Sequence, residues 1–492
     1  MGVLEPETEK RVEQYIDEHL PETLAELSQY ISIPSVSVGD GSGMAAAAEF
    51  LAERYREFGC QEVEIVETST YPGVWAYYDA GAPVTILNYN MYDVRSVGDS
   101  SAWQHEPFEP SVESRGDIPR VIYGRGAHVP KGPDTAWMAG LRALKATTGT
   151  LPVNIAFLAE GDEILGSISY TELIERYRDR LSKIDGLIYL RAGEDANHTV
   201  PVRLGYKSFI TIELTASGKT WGRGPVTAAH SALRTIVESP SLRLVQAIDS
   251  LYTADGEIAV EPWLPHLGAP TVPDADRPLM DELLSRFEGQ SWDEVIPALG
   301  GTGTTHYAGD LTGPAVLEKY IYGSALNIQG YHSGYVGPGS RTFTIPEKAT
   351  VRLDARLNTT ADPQVFIDGL RAHLDDKGFG DVTIDVLSAY PASRTDVDSS
   401  LMRTFLDLLR QWGTDPVVWP AQAYGGPWSF LAQDFGMPLV FGAGIGFGGG
   451  VGLPDEYFVI DGAGKVNGLP ELARFAAEFV TAFAAAREAD PA

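Results

Sequence analysis

The side chains with the most chemistry to offer follow apolar runs. VTILNYN, from Val84, is followed by Asp93; VNIAFLAE, from Val153, by the adjacent acids Asp162 and Glu163; and GLIYLRA, from Gly186, carries Arg191 with Glu194, Asp195 and His198 shortly after. Acids placed beside apolar segments are candidates for proton transfer, because burial raises a carboxyl pKa toward neutrality while a nearby cation lowers it. Cys60 is the single cysteine, so no intrachain disulfide and no thiolate metal cluster can form. The run Gly442 to Gly452 contains GIGFGG, which fits G-x-G-x-x-G in form. Without a following helix and a ribose-binding acid it reads as a mobile loop, and no cofactor is expected from it.

These groups need a scaffold. Phe50, Leu51, Tyr55 and Phe58 recur at helical spacing between Ala45 and Phe58, and Gly59 stands where the helix would stop. EVEIV at 62 to 66, VWAYY at 74 to 78 and VTILNYN at 84 to 90 have strand composition and are separated by Pro and Gly turns. VNIAFLAE and GLIYLRA are nearly continuous apolar runs flanked by helical patterns around 135 to 146 and 168 to 183, which predicts a sheet covered on both faces. After Lys207 the pattern changes. FITIELTAS, KATVRLDARL and VTIDVLSAY, with a helix around Asp362 to Leu374, predict an antiparallel sheet with helices on one side. A doubly covered α/β pattern resumes near Ser393 with PLVFGAG, and the last helix aligns Leu472, Phe475, Phe479 and Phe483. The expected division is 1–207 and 393–492 for one α/β domain, with 208–392 inserted as a smaller α+β domain.

The chain has 492 residues and a net charge of −30, with 44% apolar and 21% charged residues. That balance predicts a folded protein, and the charge disfavours nucleic acid as a partner. The opening MGVLEPETEKRVEQYIDEHL carries acids where a signal peptide needs a basic and then an apolar stretch, Pro6 departs from the myristoylation pattern, and no window approaches a membrane span. A cytoplasmic setting away from membranes is the expectation.

Several blocks occur in an order that resembles the zinc-dependent aminoacylase, carnosinase and carboxypeptidase G metallopeptidases: NMYDV at 90–94, W-x-x-x-PFEP at 103–110, YGRGAHVPKG at 123–132, LPVNIAFLAEGDEILGS at 151–167, GPGSRTFTIPEKA at 337–349 and RL at 356–357 followed by ADP. The resemblance runs from about Ile31 to Ala482. It implies a mixed-sheet catalytic domain covered by helices on both faces, an inserted lid domain that mediates dimerisation, and two zinc ions held by five side chains.

Carried over motif by motif, the five ligand positions fall on Met91, Val129, Ile164, Arg191 and Gly452. Zinc takes imidazole, thiolate or carboxylate donors, and none of these five residues is one. The resemblance retains the histidine-orienting aspartate as Asp93 and the general base as Glu163. It also implies that His230 reaches a partner subunit's site, and that Asn327 and Arg356 hold a substrate carboxylate, for which a planar guanidinium is suited. His128 replaces a small residue beside the missing bridging acid.

Three functions are compatible with these residues. One is an enzyme acting without zinc on a small amino-acid or peptide-like molecule, with Glu163 as acid/base, Asp93 and Arg191 as electrostatic partners, and His230, Asn327, Arg356 and His128 around the substrate. The second is a pseudoenzyme that binds a ligand or partner. The third is a metallohydrolase with displaced ligands, built from His128, Asp93, Asp162 or Glu163.

Overall fold

The apolar runs form strands because β-branched and aromatic residues fit a pleated, buried surface, with Gly and Pro marking the turns. The computed structural model describes residues 3–296, 299–300, 302–340 and 343–489. The chain groups into two compact units, Met1–Leu204 with Arg394–Trp419 and Leu431–Ala492, and Gly205–Ser393 with Pro420–Phe430.

In the first unit six strands lie in the order Glu62–Val66, Gly73–Tyr78, Asn154–Glu160, Thr85–Met91, Gly186–Leu190 and Leu439–Ala443. The first two pairings are antiparallel and the remaining three parallel, so the sheet is mixed. Every residue of Asn154–Glu160 and Gly186–Leu190 is buried, as a doubly covered sheet requires. The helix Met44–Phe58 stacks Tyr55 on Phe157 at 4.4 Å and ends at Gly59, whose φ of 98° closes the helix in the left-handed region. The terminal helix Leu469–Ala489 sets Phe475 and Phe479 edge-on against Phe405 of the helix Ser400–Gln411.

The helical pattern around 168 to 183 divides into Tyr170–Arg176 and Arg178–Leu181. Between them Tyr177 stacks on Trp75 at 4.2 Å and donates its hydroxyl to Glu64, contacts that displace it from helical geometry. A second, antiparallel sheet joins Gly448–Gly449, Tyr457–Asp461, Ile118–Tyr123 and Ser111–Arg115. It includes part of the Gly-rich run that the sequence suggested was a mobile loop. That run is tied down: Gly446 N donates to Glu194 Oε2 at 3.0 Å and Phe447 N to Asn467 O at 2.9 Å.

The parallel pairing aligns Met91 with Glu160, and Gly186–Leu190 runs beside Thr85–Met91 on its other edge. Asp93, Glu163 and Arg191 therefore leave the same end of the sheet, the carboxyl end, where open α/β sheets place their ligand sites.

In the second unit the strands Ala325–Ser333, Lys348–Leu357, Ser208–Ser217 and Thr383–Tyr390 form an antiparallel sheet in that order. Leu244 and Ala247 of the helix Pro240–Asp249, with Phe366, Leu370 and Leu374 of Pro363–Asp376, share one core with Ile210, Ile212, Leu214, Val351 and Leu353. Each large apolar side chain buried there contributes about 1.5–3 kcal/mol. Arg341 and Thr342 of the GPGSRTFTIPEKA block lie outside the described residues. Among the described residues no helix is long and apolar enough to cross a membrane.

Candidate functional site

Asp93 lies just past the strand Thr85–Met91 and is fully buried. Its Oδ2 accepts from Ser37 Oγ at 2.7 Å and from Ile164 N at 2.9 Å, while Oδ1 has no partner among the described residues. Burial, with the neighbouring Glu163 charge added, pushes its pKa up to about 7. The Ile164 contact fastens the turn that carries Glu163. Asp162 fastens it from the other side, accepting from Thr70 Oγ1 at 2.5 Å and from Ser169 N at 2.9 Å.

Glu163 opens the short 3-10 turn Glu163–Leu165 and is half-buried. Burial raises its pKa, while the guanidiniums of Arg191 and Arg95 pull it down and Asp162 adds a smaller upward push. It forms no ion pair with either arginine among the described residues. Arg191 follows the strand Gly186–Leu190, with its Cδ beside Gly442. Arg95 is exposed and crosses Gly452, where a Cβ would lie 2.5 Å from Arg95 Cδ.

The loop carrying His128 and Val129 is held by Glu456, which is buried and accepts from His128 N at 3.2 Å and Val129 N at 3.0 Å on Oε1. Its Oε2 accepts from Arg125 Nη1 at 2.8 Å. Arg125 also lies 4.8 Å over the Trp103 ring and donates to Ser96 O at 3.3 Å, and Trp103 Nε1 donates to Val97 O at 3.0 Å. His105 and Gln104 donate backbone N–H groups to Asp455 Oδ1, both at 3.0 Å. Together these contacts fix the segments bearing Arg95 and Gly452. His128 Nε2 lies 2.7 Å from Ala192 O and Nδ1 has no partner among the described residues. Burial, opposed by that hydrogen bond and assisted by Arg191, holds its pKa down to about 4, so the ring is neutral at pH 7 and donates to Ala192 O.

Among the described residues no group of three or more His, Cys, Asp or Glu side chains is arranged to hold a metal ion. Met91 and Val129 are buried apolar side chains, Ile164 offers only its backbone N–H, which is spent on Asp93, Arg191 is cationic, and Gly452 has no side chain. The residues present do not fit a zinc pair.

In the second unit, Asn327 and Arg356 come together on the buried Asp354, with Asn327 Nδ2 donating to Oδ2 at 3.0 Å and Arg356 Nε to Oδ1 at 3.2 Å. Arg356 also stacks on Phe209, 3.9 Å from the ring centroid. Lys207 belongs to this cluster; burial and the Arg356 charge press its pKa down to about 8, and its Nζ donates to Tyr320 O and Gly323 O. His230 lies apart from that cluster, on the two-stranded ribbon that pairs it with Thr344. It is exposed, and its Nδ1 accepts from Ala232 N at 3.1 Å.

The model of peptidase family M20/M25/M40 matches residues 92–482. The chain belongs to that family. Among curated members, the Cys-Gly metallodipeptidase DUG1 of Saccharomyces cerevisiae is 24% identical over 389 residues, covering 74% of this chain and 75% of the relative. The Beta-Ala-His dipeptidase of Homo sapiens is 24% identical over 387 residues, covering 75% and 71%. Among solved structures, the M20 family metallo-carboxypeptidase Sso-CP2 from Sulfolobus solfataricus superposes with a TM-score of 0.80 at 25% identity, covering 94% of this chain and 99% of that one. Within the M20/M25/M40 family fold, the mixed sheet and the inserted antiparallel sheet expected from the sequence are both present.

Two features of the site were not singled out from the sequence. Arg125 and Glu456 both lie in recognisable blocks, GRG and PDE, but nothing local says that they pair. Arg95 gives no signal of its own, since its place depends on Gly452 lacking a side chain.

Proposed function

We propose that this member of the M20/M25/M40 family is an enzyme that works without the family's zinc pair on a small amino-acid or peptide-like molecule, with Glu163 as its acid/base. The reading rests on one observation above the others: the turn bearing Glu163 is fastened on both sides by buried carboxylates, Asp93 and Asp162, although the residues at all five metal positions offer no ligand. Burial raises the Glu163 pKa above the ordinary carboxyl value, against the pull of Arg191 and Arg95, which makes the group a stronger proton acceptor than a solvated glutamate. Arg191 supplies fixed positive charge for an oxyanion, and Asp93 acts as its electrostatic counterpart and positions the turn.

Asn327 and Arg356 hold a substrate carboxylate through the Arg356 Nη groups, since Nε is spent on Asp354. His230 contributes from a partner subunit in a homodimer formed through the second unit, where Ile236, Val336 and Phe343 are exposed. His128, tied to Ala192 by Nε2, shapes the site beside Arg191. The dipeptide names of the relatives favour a peptide-like substrate. Without a Lewis acid, an activated acyl group or a proton-transfer reaction such as isomerisation or condensation meets a lower barrier than hydrolysis of an ordinary amide. A cytoplasmic setting belongs to the same reading.

The test is Glu163→Gln assayed against a panel of amino-acid and dipeptide derivatives. Turnover by the unsubstituted protein that falls at least about 100-fold in the variant supports acid/base catalysis. Undiminished turnover removes Glu163 from the chemistry.

A further inference from the structure

The first unit keeps most of its buried or half-buried cations engaged. Arg54 pairs with Asp134, Arg125 with Glu456, and Lys131 donates to Tyr30 O and Ile33 O. The half-buried Arg191 differs, and so does the exposed Arg95 close by. Neither side chain makes a hydrogen bond or ion pair among the described residues, and both leave the carboxyl end of the sheet beside the Glu163 turn: Arg95 lies two residues past Asp93, whose Oδ2 holds Ile164 N, and Arg191 directly follows the neighbouring strand Gly186–Leu190.

Their placement is built. Arg95 occupies the space that any side chain at 452 would need, and Gly452 sits at a φ of 73°, which favours glycine. The segment beyond Arg95 is pinned through Ser96 O and Val97 O, and the loop of Gly452 through Asp455 and Glu456. Arg191 is set by its backbone N–H to Ala443 O at 3.2 Å, with its Cδ 3.5 Å from where a Gly442 Cβ would be. His128 adds a buried ring nitrogen without a partner, on a side chain close enough to Arg191 to feel its charge.

We propose that Arg95 and Arg191 form a two-guanidinium seat beside Glu163 for a compact oxyanion, and that the substrate presents such a group, a carboxylate or a phosphate, next to its reacting centre. This rests on reading the carboxyl end of the sheet as the ligand site and deepens that reading by giving the substrate class. Guanidiniums keep their charge at any working pH and match oxyanion geometry with paired N–H donors. At a net charge of −30 the protein as a whole repels anions, so an anionic substrate would depend on such locally concentrated positive charge.

The experiment is calorimetric titration of the full chain with sodium acetate and, separately, with inorganic phosphate at constant ionic strength. The variants are Arg95→Gln, Arg191→Lys, Arg191→Gln and Glu163→Gln. Arg95 is exposed, so its variant folds like the parent, and a melting curve for each protein checks this. We expect one site per chain, weakened about tenfold or more by Arg95→Gln and by Arg191→Gln, less by Arg191→Lys, and tightened several-fold by Glu163→Gln. Preference for acetate identifies a carboxylate and preference for phosphate a tetrahedral oxyanion; either supports the seat. Absence of binding at millimolar anion, or binding that Arg95→Gln leaves unchanged, overturns it. Because no turnover is measured, failure of the seat and failure of Glu163 catalysis are read separately.

Discussion

Arg95 lies across Gly452, so close that a Cβ on Gly452 would stand 2.5 Å from Arg95 Cδ. At the position where the family resemblance places a zinc-binding histidine, any side chain would have to displace an arginine. The two residues form one local arrangement: a cation from the sheet end and a glycine that makes room for it.

Restoring the histidine does not restore the metal. Gly452→His must hold a φ of 73° with a Cβ and displace Arg95, which costs about 1–3 kcal/mol. We expect a lower urea midpoint and no zinc binding in titration, because four other ligand positions still lack donors.

Asp93 makes stability depend on pH. Its folded pKa, raised to about 7 from 3.8, means that the folded state keeps a proton the unfolded chain has lost. The stabilisation is full below pH 3.8 and is lost as pH rises toward 7. Asp93→Asn removes this term, so urea denaturation of variant and parent should differ between pH 4 and pH 8 by a quantity on the order of 4 kcal/mol, in favour of the variant at pH 8.

The Arg125–Glu456 pair holds the site loops from inside. Both side chains are buried and both Glu456 oxygens are used. Replacing one partner leaves the other charge uncompensated, so Arg125→Met should cost about 3–5 kcal/mol in chemical denaturation. It should also weaken acetate or phosphate binding, since Ser96 beside Arg95 loses its anchor.

Glu163 should titrate higher when its cations are removed. Burial raises its pKa and Arg191 and Arg95 lower it, so Arg95→Gln shifts the Glu163 carboxyl upward in a carbon-13 NMR titration, and Arg191→Gln shifts it further. In a pH–rate profile the corresponding limb moves the same way.

Much of the scaffold was legible in the sequence because its signals are local. The continuous apolar runs became the buried strands Asn154–Glu160 and Gly186–Leu190, and Gly59 ended its helix as its type predicts. The antiparallel hairpin Ser111–Arg115 with Ile118–Tyr123 was missed, because the exposed Val112 to Arg115 stretch carries little apolar alternation. The break at Tyr177 was missed because it follows from stacking on Trp75, which periodicity cannot report. At the site, the grouping of Asp93 with the Glu163 turn and of Asn327 with Arg356 followed motifs that could be located one by one. Arg95 could not be found that way: its role arises from a space left by a glycine in a distant segment of the chain.

Metal content decides whether this M20/M25/M40 member acts without a zinc pair. Protein purified without chelator and analysed by inductively coupled plasma mass spectrometry should contain far less than one zinc or manganese per chain, with turnover unchanged in strong chelator. Two metal ions per chain, with activity lost to chelator and regained on adding zinc, would contradict it.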